Sequence, residues 1–290
     1  MFLVFGLFVV FLTDNTLADS KVKSAKCIGK HRMPLDETNV QIKHQRFKPF
    51  AFDGLNEEPY NAEILNVEGS LSIKLDYNEP RHPIVYGGAL EQYGNYLLDG
   101  ILWHWLKETI PENDLGDIRF PAEWHLKFYH EDYLTRNDYG VIPRCVVLAF
   151  PFKVVKETKF RFFKIVEQHL PMVRMPNDIA FLPNGTLPWL AEILNRNLSQ
   201  FYSYYGETCY LQELTKVVWL DFVSLIEIGV DFVQQVEYLE ATGGKPLMEQ
   251  VLDQKGPQGL VIKSFRNIGV RTGFIIAAPL LVLLALLLQI

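Results

Sequence analysis

The residues best suited to chemistry in this 290-residue chain are two histidines on strand-like runs. Seven histidines occur: His31, His44, His82, His104, His125, His130 and His169. Only two of them lie in strongly β-prone runs, Ile101-Leu102-Trp103-His104-Trp105 and Ala122-Glu123-Trp124-His125-Leu126-Lys127. Side chains alternate along a strand, so Leu102 and His104 share a face, as do Glu123, His125 and Lys127. Trp103, Trp105, Trp124 and Leu126 then take the opposite faces. Imidazoles offered by two strands of one sheet can hold a metal ion such as zinc. The same spacing also suits two structural histidines, and spacing alone favours that plainer reading.

The elements that must position these residues read as strands. Ala62–Leu75, Gly100–Leu106, Ala122–Phe128, Arg144–Lys153 and Lys216–Val223 are β-rich runs bounded by turn residues such as Asn78-Glu79-Pro80 and Tyr86-Gly87-Gly88. A helix is expected over Lys159–His169, with Phe160, Phe163, Ile165 and Val166 near 3.6 spacing, and another near Leu187–Asn195. The pattern predicts a mainly β (α+β) single domain built on one large sheet. The composition, with 13 Tyr, 20 Phe and 5 Trp, excludes a disordered chain. Three cysteines exclude a disulfide-dense miniature scaffold. A net charge of −6 without a basic cluster argues against nucleic acid as a partner. No repeat of solenoid length is visible.

Both ends read as addresses. Residues 1–18 form an expected signal peptide: Phe2 to Leu12 is apolar throughout, and Thr16-Leu17-Ala18 supplies small residues before a cleavage point. Residues 267–290 form a C-terminal tail whose last stretch, Phe274 to Ile290, is apolar and followed by no basic residue. That pattern fits a glycosylphosphatidylinositol signal, with attachment at Ser264 or Asn267. The rival is a C-terminal membrane helix. Either way the domain of residues 19–266 is expected outside the cell, tethered to the plasma membrane. The sequons Asn184-Gly185-Thr186 and Asn197-Leu198-Ser199 agree with that side of the membrane. Cys145, in an apolar run, is expected to be a buried free thiol.

Pro121-Ala122-Glu123-Trp124-His125-Leu126 resembles the strand of α-class carbonic anhydrases that carries their third zinc-binding histidine. Trp103-His104-Trp105 resembles the end of their His-x-His-Trp strand. Cys27-Ile28-Gly29-Lys30-His31-Arg32-Met33-Pro34-Leu35 is similar to their opening motif. Gly87-Gly88-Ala89-Leu90 with Tyr96-Leu97-Leu98, Tyr204-Tyr205-Gly206 with Trp219, and Gly256-Pro257-Gln258 are similar to further blocks, in the same order. The resemblance implies a large twisted, mainly antiparallel sheet and zinc-dependent hydration of carbon dioxide to bicarbonate. Three histidines would hold the zinc and lower the pKa of its bound water to about 7.

Set against the family pattern, the site is degraded. The first zinc-ligand position falls on Leu102, while His104 and His125 occupy the second and third. Glu123 matches the carboxylate that braces a ligand imidazole. The hydroxide-orienting threonine position falls on Cys209, its glutamate partner on Glu112, the proton-shuttle position on Gly69 and part of the substrate wall on Lys127. Zinc is therefore expected to bind weakly or not at all, and carbon dioxide hydration to be inefficient. The expected role is recognition of an extracellular protein or small ligand. The alternative is a hydratase with unusual ligation, in which Cys209 joins His104 and His125. The resemblance also implies a disulfide between Cys27 and Cys209, which competes with that ligation.

Overall fold

The computed structural model describes residues 40–67, 70–78, 81–105, 119–132, 142–210, 213–249 and 259–264. In chain order these form β1 (Val40–Gln45), β2 (Phe50–Asp53), β3 (Asn61–Val67), β4 (Ser70–Asp76), β5 (Ile84–Gly87), β6 (Tyr96–Trp105), β7 (Arg119–His130) and β8 (Cys145–Val155). Then come α1 (Arg161–His169), β9 (Ile179–Phe181), α2 (Leu190–Leu194), β10 (Phe201–Tyr210) and β11 (Glu213–Phe222). The last are β12 (Ile226–Gly229), α3 (Val230–Glu237), β13 (Glu240–Ala241), β14 (Lys245–Pro246) and β15 (Gly259–Ser264). The signal peptide, the tail, Cys27, Gly69, Glu112 and Asn267 lie outside the described residues, as does the side chain of Cys209.

Among the described residues one sheet of thirteen strands dominates, ordered β1-β15-β10-β11-β8-β7-β6-β4-β3-β9, with β12 on β8, β5 on β6 and β2 on β5. It is mainly antiparallel, as expected. The pairs β1–β15, β8–β11 and β8–β12 are parallel. The run Ala62–Leu75, expected as one strand, folds back as two, with Val67 opposite Ser70.

Period-two alternation gives the sheet two faces with different fates. Trp103, Trp105, Trp124, Leu126, Phe150 and Phe152 point into the main core and are at most 1% exposed. Helices α1 and α3 cover that side through Phe162, Phe163, Val166, Phe232 and Val236. Ile165, expected on the buried stripe of α1, is only half-buried, and Phe162 takes its place. Positions i and i+2 do not share a helical face, so Phe163 and Ile165 cannot both face inward. The second expected helix is a 3-10 turn over Leu187–Trp189 that runs into α2. Asn66 ties β3 to the elements around α1: its Nδ2 donates to the carbonyls of Val173, Arg174 and Glu240.

The other face carries a smaller cluster that includes Cys145, Val147, Ala149, Tyr204, Val217 and Trp219. Cys145 is a buried free thiol, as the apolar run implied. Burial pushes it up to about 12, although the nearby Lys127 charge draws it down. Alkylation of the native protein at pH 8 is expected to spare Cys145 while the unfolded chain reacts there, as mapped by peptide mass. Rapid native modification would mean that β8 opens easily. The same shift fixes a pH dependence. A thiol raised from 9.0 to about 12 favours the folded state fully below pH 9. That contribution fades as pH climbs from 9 through 12. Tyr204, also raised, acts in the same direction once pH passes its ordinary value of 10.0. The thermal midpoint is expected to fall between pH 9 and 12; a flat profile there would refute the burial argument.

Candidate functional site

The smaller face is where the two histidines meet. The ladder between β6 and β7 runs without a break from Gly100↔Lys127 to Trp105↔Ala122. Leu102 therefore stands directly opposite His125, and His104 opposite Glu123. On its far side His125 faces Ala149 of β8, which in turn faces Asp221 of β11. Strands this regular hold side chains in fixed relative positions, which is what a constellation of ligands or catalytic groups needs.

The imidazoles of His104 and His125 have ring centroids 5.3 Å apart and planes inclined by 16°. Two imidazoles bound to one tetrahedral zinc at about 2.0–2.1 Å would have centroids roughly 5 Å apart, so the separation suits a shared cation. His125 Nε2 donates to Glu123 Oε2 at 2.9 Å, with both groups buried. A carboxylate in that position fixes the tautomer and leaves Nδ1 as the ring nitrogen for another partner. The Trp219 ring meets His125 edge-on at 5.2 Å and walls the pair on the β11 side. Lys127 lies on the same face as His125, one alternation further along β7, opposite Gly100.

Beside this pair lies a group that the spacing of histidines did not point to. Tyr204 Oη donates to Asp221 Oδ2 at 2.7 Å, and both residues are buried. Burial first, then the Asp221 charge and the hydrogen bond to it, raise Tyr204 well above its ordinary value. It therefore stays a protonated donor at every physiological pH. The signal in the sequence was Asp221 inside the apolar run Val217-Val218-Trp219-Leu220-Asp221-Phe222. A carboxylate there must be hydrogen-bonded to be buried at acceptable cost. Tyr204→Phe removes one bond to a charged group, worth about 1.5–3 kcal/mol. Denaturant unfolding is expected to show a loss of that size, and an unchanged midpoint would show that Asp221 does not depend on Tyr204.

His130, the other histidine buried in β7, is structural. Its Nε2 donates to the Tyr93 carbonyl at 2.7 Å, and its Nδ1 accepts from the Asp132 N–H at 3.1 Å.

The remaining candidate residues are more dispersed. Strand β10 continues in register to Tyr210, so Cys209 stands opposite Leu214. Tyr202 is the β10 residue level with His125 across β8 and β11. Cys209 lies seven residues beyond Tyr202, roughly 23 Å along the strand at about 3.3 Å per residue. The backbone thus does not bring Cys209 to the two imidazoles. Asn184 and Asn197 are both exposed. Ser264 is buried at the end of β15, where its Oγ donates to the Ser199 carbonyl and accepts from the Phe201 N–H, each at 2.8 Å.

The chain belongs to the eukaryotic-type carbonic anhydrase family, whose model matches residues 18–257. A search of curated proteins finds no match. The large mixed sheet with few helices is consistent with that family's fold.

The family is zinc-dependent in general. Among the described residues no group of three His, Cys, Asp or Glu side chains converges as a metal site. The physical reason is visible in the ladder. Leu102, opposite His125 and sharing a face with His104, offers only carbon where a third nitrogen would be needed. The described residues supply two imidazoles and a brace, and they do not fit a three-imidazole zinc centre.

Proposed function

We propose that this chain is an extracellular, membrane-tethered carbonic anhydrase-like protein that hydrates carbon dioxide inefficiently and serves as a binding domain. The single observation that carries the reading is the pairing of Leu102 with His125 in an unbroken ladder. Lys127 on the same face adds a positive charge that opposes a bound cation. The recognised partner is an extracellular protein or a small ligand, by analogy with other family members that have lost their chemistry.

The tether rests on the apolar tail, and exposure of Asn184 and Asn197 suits a glycosylated surface. Of the two attachment candidates, Asn267 suits the fold better. Ser264 is the buried last residue of β15, whereas Asn267 lies three residues further along the sequence, past the end of that strand. A second reading, a slow zinc hydratase, draws support from the His104–His125 separation and the Glu123 brace.

Secretion of residues 19–266 and measurement of zinc per chain and of hydration rate tests the main reading. Well under one zinc per chain and a rate near that of buffer are expected. Stoichiometric, tightly held zinc with rapid turnover would establish the hydratase instead. Treatment of cells with a phospholipase that cleaves the lipid anchor is expected to release the protein. Retention on the membrane would indicate a helix.

A further inference from the structure

A cavity of about 350 Å³ opens on the surface where the β1–β2 connection meets the start of β10. Its volume lies at the low end of small-ligand sites, which run from about 300 to 1,000 Å³. Phe47, Phe50, Phe52 and Phe201 line it, and the cationic side chains of Lys48 and Arg196 also border it. Phe47 and Phe50 pack on Phe201 with centroids 5.4 and 5.1 Å apart, so the rings are fixed before anything binds. All three sequon residues, Asn197, Leu198 and Ser199, belong to the lining.

We infer that this cavity seats the first sugars of an N-linked glycan carried by Asn197, an inference that rests on the extracellular reading above. The asparagine is presented for it. Its Oδ1 accepts from the Ser199 N–H at 3.1 Å, which orients the amide and keeps Nδ2 as the substituted atom. Attachment forms a bond from Nδ2 to the sugar C1 as the C1–O bond to a lipid-diphosphate donor breaks and Nδ2 gives up one proton. The C–H-rich face of an N-acetylhexosamine carries partial positive charge and settles against the negative faces of aromatic rings. The Arg196 guanidinium and the Lys48 ammonium can donate to sugar hydroxyl and acetamide oxygens.

Asn184 provides the internal contrast. Its sequon hydroxyl, Thr186 Oγ1, is turned inward and donates to the Pro183 carbonyl at 2.6 Å. Asn184 is exposed and is not among the residues that line the cavity. A glycan on Asn184 projects into solvent, whereas one on Asn197 lies against protein.

The full chain, expressed in mammalian cells and extracted in detergent, is digested natively with an amidase that cleaves the Asn–glycan bond. Release at each site is followed by peptide mass. Asn197 is expected to lose its glycan about tenfold more slowly than Asn184, with equal rates after unfolding. Phe47→Ala is expected to speed release at Asn197 alone. Asn197→Gln is expected to lower the thermal midpoint by about 2–4 °C, and Asn184→Gln to leave it unchanged. Equal native rates, a Phe47→Ala release rate at Asn197 that stays slow, or equal thermal effects of the two glutamine variants would overturn the seat. So would glycan on Asn184 with none on Asn197, an outcome that leaves the extracellular reading intact. Absence of glycan from both sites would overturn the seat and count against that reading.

Discussion

Leu102→His is expected to raise zinc affinity by about two orders of magnitude or more. Structural zinc sites with four ligands bind with about 10–16 kcal/mol, which averages to roughly 3 kcal/mol for each ligand. One added imidazole on a rigid strand should recover most of such a share, since 1.4 kcal/mol is a factor of ten. The ladder puts position 102 directly across from His125 and on the face of His104, so the new ring needs no backbone movement. Glu123 already braces His125. Isothermal titration or competition with a chromogenic chelator reads the change. An affinity within a factor of three of the parent would mean that side chains at 102 and 125 do not converge. Hydration activity is expected to rise far less than affinity. Lys127 remains on the face, and the Cys209 backbone lies far along β10 from the imidazoles.

Trp124→Ala is expected to unfold the site from behind. Trp124 is fully buried on the core side of β7, between Glu123 and His125, which point to the other face. Its ring contacts Phe163 at 5.3 Å, Phe162 at 5.6 Å, Phe150 at 5.9 Å and Trp103 at 6.4 Å between centroids. Truncation of a buried tryptophan costs about 3–5 kcal/mol, because the lost contacts leave a cavity that the neighbours fill only in part. For a domain of this size that corresponds to a fall of about 10 °C or more in the thermal midpoint. Calorimetry checks it. Trp124→Phe, which keeps an aromatic ring among four others, is expected to lose less than half as much. Equal losses for the two variants would place the importance of Trp124 elsewhere than in its packing.

The sheet and its two-faced strands were legible because β6 and β7 alternate cleanly. Three tryptophans and Leu126 mark one side, and His104, Glu123, His125 and Lys127 the other. That alternation also fixed which histidines could meet. The run through residues 62–75 was harder to divide, since its two strands are joined by only Glu68-Gly69 and both read as β-prone. Helix α3 is hidden in the sequence because Val230, Val233 and Val236 favour strands. Its buried pair Phe232 and Val236, four residues apart, was the clue to a helix. The Tyr204–Asp221 bond joins residues seventeen apart on neighbouring strands. Only the register of β10 against β11 brings them together, and the burial of Asp221 is a property of the whole sheet. The position of Cys209 likewise depends on how far β10 extends, which local composition does not set.

Strand β15 lies between β1, its parallel partner over six residue pairs, and β10, which runs antiparallel to it. On the proposed tether, a pull from the cell surface enters the domain at Ser264 and runs along the axis of that strand. Such a load shears the flanking backbone bonds together; it does not peel them apart one after another. Forced detachment would then be governed by a single high barrier. The domain would stay whole under traction that would strip a strand held by its end.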